Sequence, residues 1–189
     1  MKKLFNKKMV LISLLFIIFL LFFKIDFRFA EGIYCCGDDY DYFSHAQTIA
    51  EDFDLDYTNQ LKGYEEKRFN LNGKIAPKGF FGSGLLASPF LFLGNYIDGI
   101  VKSYFTESYS NFMNYGLLLY SLSSIFYMFL TIELLKRILQ NIDINIKKLE
   151  ILLLYASSGV FYYAFERFSM SHIYETFTIT LVIFFTVEY

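Results

Sequence analysis

Tryptophan is absent from the 189 residues, and proline and cysteine occur only twice each. The cysteines, Cys35 and Cys36, are neighbours. Adjacent Cα atoms lie closer than an ordinary disulfide staple requires, so a disulfide framework is excluded. No CxxC pair and no Cys/His spacing suited to zinc occurs. Charge of one sign is also missing: 17 basic residues stand against 19 acidic ones. No basic run with interleaved aromatics is found, which sets nucleic acid aside as a partner. There is no internal repeat and no low-complexity stretch. What the chain has is apolar mass. Hydrophobic residues make up 55% and aromatics 21%, with a mean hydropathy of +0.37. These residues fall in blocks rather than at amphipathic spacing, a pattern foreign to ordinary soluble domains.

The blocks predict an all-α integral membrane protein with about four transmembrane helices, at about 5–27, 112–135, 149–166 and 171–189. The core of the first block, Met9 to Phe23, is short for a bilayer of about 30 Å. Leu4, Phe5, Ile25, Phe27 and snorkelling lysines extend it. Around Arg28-Phe29-Ala30 the small residues of a signal-peptide cleavage site are missing, so the segment reads as an uncleaved span. Ser121, Ser123 and Ser124 in the second block can bond to helix carbonyls or face a neighbouring helix. Tyr162, Tyr163, Tyr174 and Tyr189 lie near block ends, as an interfacial belt would.

Positive charge sets the orientation. Lys2, Lys3, Lys7 and Lys8 precede the first span; Lys136, Arg137, Lys147 and Lys148 flank the second and third. Both groups are expected in the cytoplasm, which puts the loop 28–111 and the Glu166-Arg167 link outside. Phe80 to Ile100 is also apolar, yet it holds Gly82, Gly84, Pro89 and Gly94, all unfavourable within a helix. A crossing there would reverse the parity, so Phe80 to Leu93 is expected to lie along the outer surface or re-enter it. Four spans and one large loop read as the front part of a longer polytopic protein.

The outer loop, far longer than a connector needs, carries amphipathic juxtamembrane helices and the candidate chemistry. Tyr42, Phe43, Ala46, Ile49, Ala50 and Phe53 repeat at helical spacing. Asp38 and Asp39 fall at the start of that helix, where free N–H groups favour an ionised carboxylate. Such a group can act as a general base or simply cap the helix. His45 shares an edge with Asp38 and Asp41. Asp52 to Asn59 alternates acidic and apolar residues but lacks the Gly and Glu of a calcium loop. It reads as a solvated helix exit. The Pro77-Lys78-Gly79 turn puts a cation at headgroup level, where Lys78, Lys74 or Arg68 can hold a lipid phosphate. His172 and Glu175, one turn apart beside Arg167, form a further pair able to face a cavity.

The order of these parts resembles the amino-terminal part of the GT-C superfamily of membrane glycosyltransferases, nearest to aminoarabinose transferases and protein O-mannosyltransferases. The resemblance rests on the lysine-flanked span, the acidic pair, AEDFDLDYTN and APKGFFGSGLLASPFLFLG. Asp38-Asp39 stands where the family usually has Asp-Glu, and Pro77-Lys78-Gly79 where it has Pro-Pro-Gly. It implies transfer of a sugar from a polyprenyl-phosphate carrier to a lipid, glycan or protein acceptor at the outer face of a bacterial cell membrane. Asp38 would be the base, with Asp39 beside it. Lys78, Lys74 or Arg68 would bind carrier phosphate. A divalent cation is left open. Two other readings remain: a non-enzymatic assembly or scaffold subunit that docks through the outer loop, and a transporter front half.

Overall fold

A computed structural model describes residues 33, 37–63, 69–104 and 114–188. The expected span at 5–27, Cys35, Cys36 and Arg68 lie outside these. Helix α1, Gly37–Gln47, runs on into a π turn, Thr48–Asp52, which stops at Phe53 in the left-handed region (φ 58°). A small hairpin follows, β1 Phe69–Leu71 paired antiparallel with β2 Lys74–Ala76. Then come α2 Phe81–Tyr104, α3 Tyr115–Asn141, α4 Lys148–Ala156, α5 Gly159–Phe165 and α6 His172–Glu188. The described chain is mostly helical. Among the described residues two helices, α2 and α3, are long and apolar enough to cross a membrane.

The hairpin departs from the all-α expectation. Asn72 and Gly73 both adopt positive φ (54° and 77°). That is the two-residue turn whose twist matches antiparallel strands.

A second difference concerns α2, which is one continuous helix where glycine, proline and parity argued for an interfacial or re-entrant segment. The small residues Ser83, Gly84, Ala87, Ser88 and Gly94 form one buried stripe together with Leu91. Small side chains there let backbones approach closely, which offsets their poor helix propensity. Gly84 meets the backbone of α1 at His45 and Ala46; Gly94 meets α3 at Tyr115 and Gly116. Pro89 leaves Leu85 O without its usual N–H donor. Ser88 Oγ donates to that carbonyl instead, at 2.9 Å. Phe90 packs on Phe126 and Tyr127, and Gly94 on Gly116. Thus α2 runs antiparallel along α3 rather than apart from it.

Where α2 passes the start of α3, Asp98 Oδ1 and Oδ2 accept from Tyr115 N and Gly116 N, both at 3.0 Å. Asn114 Oδ1 accepts from Leu117 N at 2.8 Å. Three first-turn donors that would otherwise be unsatisfied are thereby bonded, and a carboxylate sits at the favourable end of the helix dipole.

The expected span 149–166 is broken. Ser157 Oγ and Ser158 Oγ donate back to Leu154 O and Tyr155 O, and Ser158 Oγ caps Val160 N. The resulting helices α4 and α5 are only about 14 and 10 Å long. The last block forms α6, 17 residues and about 26 Å long. The serines of α3 hold these elements. Ser124 Oγ lies 2.7 Å from Ala164 O of α5. Ser123 Oγ donates to Tyr120 O and takes a bond from Tyr174 Oη of α6 at 2.6 Å. Tyr120, Met128, Ile132, Ile151, Ile173 and Tyr174 fill the core between them.

Candidate functional site

Helix α1 has its polar side inward. Phe43, Ala46 and Ala50 are buried as their spacing predicts, but so are Asp39, Asp41, Ser44, His45 and Thr48, while Phe53 is 75% exposed. Three separate segments cover that polar side. The α5–α6 link supplies Arg167, whose Nη2 donates to Asp39 Oδ2 at 2.8 Å. The Pro-Lys-Gly turn supplies Lys78 N to Asp41 Oδ2 at 3.3 Å, and Gly79 O to His45 Nε2 at 3.0 Å. The acidic run Asp52 to Asn59 supplies Tyr57, whose Oη lies 2.8 Å from His45 Nδ1.

Of the two acidic residues at the start of α1, Asp38 is exposed and its side chain makes no hydrogen bond among the described residues. Asp39 is 3% exposed. Its second oxygen, Oδ1, is buried and meets no donor. Burial pushes the Asp39 pKa up, and the Arg167 guanidinium only partly pulls it back.

Gly79 O can only accept, so His45 Nε2 carries a proton. Burial depresses the ring's pKa below the ordinary 6.5, and in the neutral ring Nδ1 accepts from Tyr57 Oη. The unfolded chain therefore takes up that proton first as pH falls. The stability contributed by His45 is complete above pH 6.5 and is lost as pH drops from there toward the depressed folded value. Thermal melts of the wild type should fall between pH 7.5 and about 5.5, and His45→Gln should flatten that part of the profile. An unchanged slope in the variant would assign it to another group.

The remaining candidates are spread more widely. Lys78 and Lys74 have exposed side chains. His172 opens α6 with its ring 4.1 Å, centroid to centroid, from Tyr163, and its Nδ1 is 4.0 Å from Glu175 Oε2. That pair is half-exposed and connects to α1 through Arg167, five residues earlier. Arg167 is the residue that sequence reasoning undervalued. Its only signal was a charge placed between two apolar blocks.

The acidic run folds on itself. Asp54 Oδ1 accepts from Thr48 Oγ1 and Asp56 N, and Asp56 Oδ1 from Thr58 N and Oγ1. Asp52 Oδ2 accepts from Asn59 and Gln60. The carboxylates shape a turn, as a solvated helix exit requires. Among the described residues no group of three or more His, Cys, Asp or Glu is arranged to hold a metal.

Comparison of the chain with protein-family models, with curated proteins and with solved structures found no match.

Proposed function

We propose that the chain belongs to the membrane part of a glycosyltransferase that takes sugar from a polyprenyl-phosphate carrier at the outer membrane face, with Asp38 as general base. One observation carries the reading. Asp39–Arg167, Asp41–Lys78, His45–Gly79 and His45–Tyr57 gather three separate segments on the first helix, while the exposed Asp38 side chain has no hydrogen bond among the described residues. Asp39 then positions the helix, and Asp38 is available to a substrate.

In the proposed reaction the acceptor hydroxyl attacks the anomeric carbon, Asp38 takes its proton, and the bond to the lipid phosphate breaks. Lys78, whose backbone is tied to α1 one turn from Asp38, meets the departing phosphate. The membrane setting is supported by the outward apolar faces of α2, α3 and α6, which include Phe92, Phe126, Ile179 and Val182. The outer face is taken from the positive-inside rule, with the lysines before the first apolar block on the cytoplasmic side.

The test is transfer of labelled sugar from polyprenyl-phosphate donors by the full-length chain in nanodiscs. Asp38→Asn should lose at least ~100-fold in rate with its melting temperature unchanged. Equal rates would remove Asp38 from the chemistry. The scaffold reading is favoured by exposed Phe53 and Leu55 on the ordered acidic turn. It requires that no donor be turned over and that Phe53→Asp release a binding partner.

A further inference from the structure

A cavity of about 220 Å³ lies between α1, the π turn after it, α2 and the start of α3. On α1 it is lined by Tyr40, Phe43, Gln47 and Glu51, the side of the helix turned away from Asp38. It is therefore separate from the proposed transfer site and does not depend on that reading.

Its floor is apolar, from Phe43, Leu91 and Leu117, and its rim is polar, from Gln47, Glu51, Asn95 and Asn114. The rim is held in place from behind. Asn95 Nδ2 donates to Glu51 Oε1 at 3.0 Å, and Asn114 Oδ1 accepts from Leu117 N. Among the described residues Glu51 Oε2 and the Asn114 amide N–H₂ have no further hydrogen bond. The Gln47 amide makes no hydrogen bond among the described residues. Gly116 carries no side chain, and a methyl there would collide with Asn95 Oδ1.

The π turn contributes to this arrangement. Thr48–Asp52 forms a wider i→i+5 turn, and Glu51 on that turn follows Gln47 onto the rim of the cavity. Such turns often occur at functional sites.

Among the described residues no cation lines the cavity and one carboxylate does, which disfavours phosphates and other anions. The carboxylate is already shared with Asn95, so it is a weak site for a lone cation. Two amides and a carboxylate offer paired donors and acceptors of the kind vicinal hydroxyls satisfy. The apolar floor suits a C–H face. The volume is below the range of about 300–1,000 Å³ typical of drug-sized ligands, so one ring of about a dozen heavy atoms fits. We infer that the cavity binds a single neutral pyranose unit, held by Gln47, Glu51, Asn95 and Asn114 over Phe43 and Leu91.

Saturation-transfer difference NMR on the full chain tests this, in nanodiscs free of sugar-based detergent. The probes are methyl hexopyranosides of the gluco, manno and galacto series, with hexose 6-phosphate as the anionic comparison. At least one methyl pyranoside should show transfer. Gln47→Leu, a change at a half-exposed side chain without hydrogen bonds, should weaken it by about 10-fold. Gly116→Ala should weaken it as well, through Asn95. The inference is overturned if no methyl pyranoside shows transfer, if the hexose phosphate binds as well as the neutral sugar, or if a folded Gln47→Leu chain binds like the wild type.

Discussion

Replacing Arg167 by Met should destabilise the chain by about 3–5 kcal/mol, read as a large drop in melting temperature in nanodiscs. The Asp39 side chain is 4% exposed and the Arg167 side chain 19%. Asp39 Oδ1 already lacks a donor. Removing the guanidinium strands a buried carboxylate, and that isolation is more damaging than the pair was favourable. Two further results separate this account from simple loss of packing. Asp39→Asn combined with Arg167→Met should recover most of the loss, because no buried charge remains. The single Arg167→Met chain should also become more stable on acidification. Asp39's folded pKa lies above its unfolded value, so its contribution is full below the ordinary 3.8 and is lost as pH rises through the folded pKa. If the double variant is no better than the single, the loss comes from packing around the arginine.

The pair also shows where the sequence stopped being informative. Asp39 and Arg167 are 128 residues apart, and no local pattern links an acid at a helix start to a charge between two apolar blocks. The helix start itself was legible, because two carboxylates before an amphipathic run satisfy free N–H groups. Which of the two faces inward was not. That depends on what covers the helix. Apolar spacing put Phe43, Ala46 and Ala50 inward, but three later segments bury the opposite, polar side as well. His45 took no part in the expected chemistry for the same reason. Its partners Tyr57 and Gly79 lie on turns whose course only the tertiary structure reveals.

The apolar blocks were more legible as helices than as spans. The block at 112–135 became α3, shifted by a few residues. The block at 149–166 was read by hydropathy alone, and hydropathy does not register that Ser157 and Ser158 bond to preceding carbonyls and restart the helix. The Asn72-Gly73 hairpin did have a local signal, a two-residue turn pair between short extended runs, and it was overlooked beside the stronger apolar pattern. For α2 the error was one of sign. Helix propensity treats every interior glycine as a liability, yet a glycine at a helix crossing permits a contact that no other residue allows.

That difference yields opposite outcomes from the same substitution within one helix. A methyl group at Gly94 would stand 2.6 Å from Gly116 Cα and 2.7 Å from Tyr115 C, with Tyr115 O closer still. All of these are backbone atoms, so no side chain can swing away, and α3 itself must move. Moving it pulls Tyr115 N and Gly116 N from the Asp98 carboxylate, two charge-assisted bonds at 3.0 Å. Overpacking of about 1–3 kcal/mol and the weakened cap together should bring the loss for Gly94→Ala to about 3 kcal/mol or more. At Gly99, five residues on, an added methyl would meet no atom within 4 Å. There it only restricts the unfolded chain and improves helix propensity, so Gly99→Ala should stabilise by about 0.5–1 kcal/mol. Thermal melts of the two variants in the same nanodiscs decide the matter. If both shift the melting temperature in the same direction, α2 does not cross the start of α3 at Gly94.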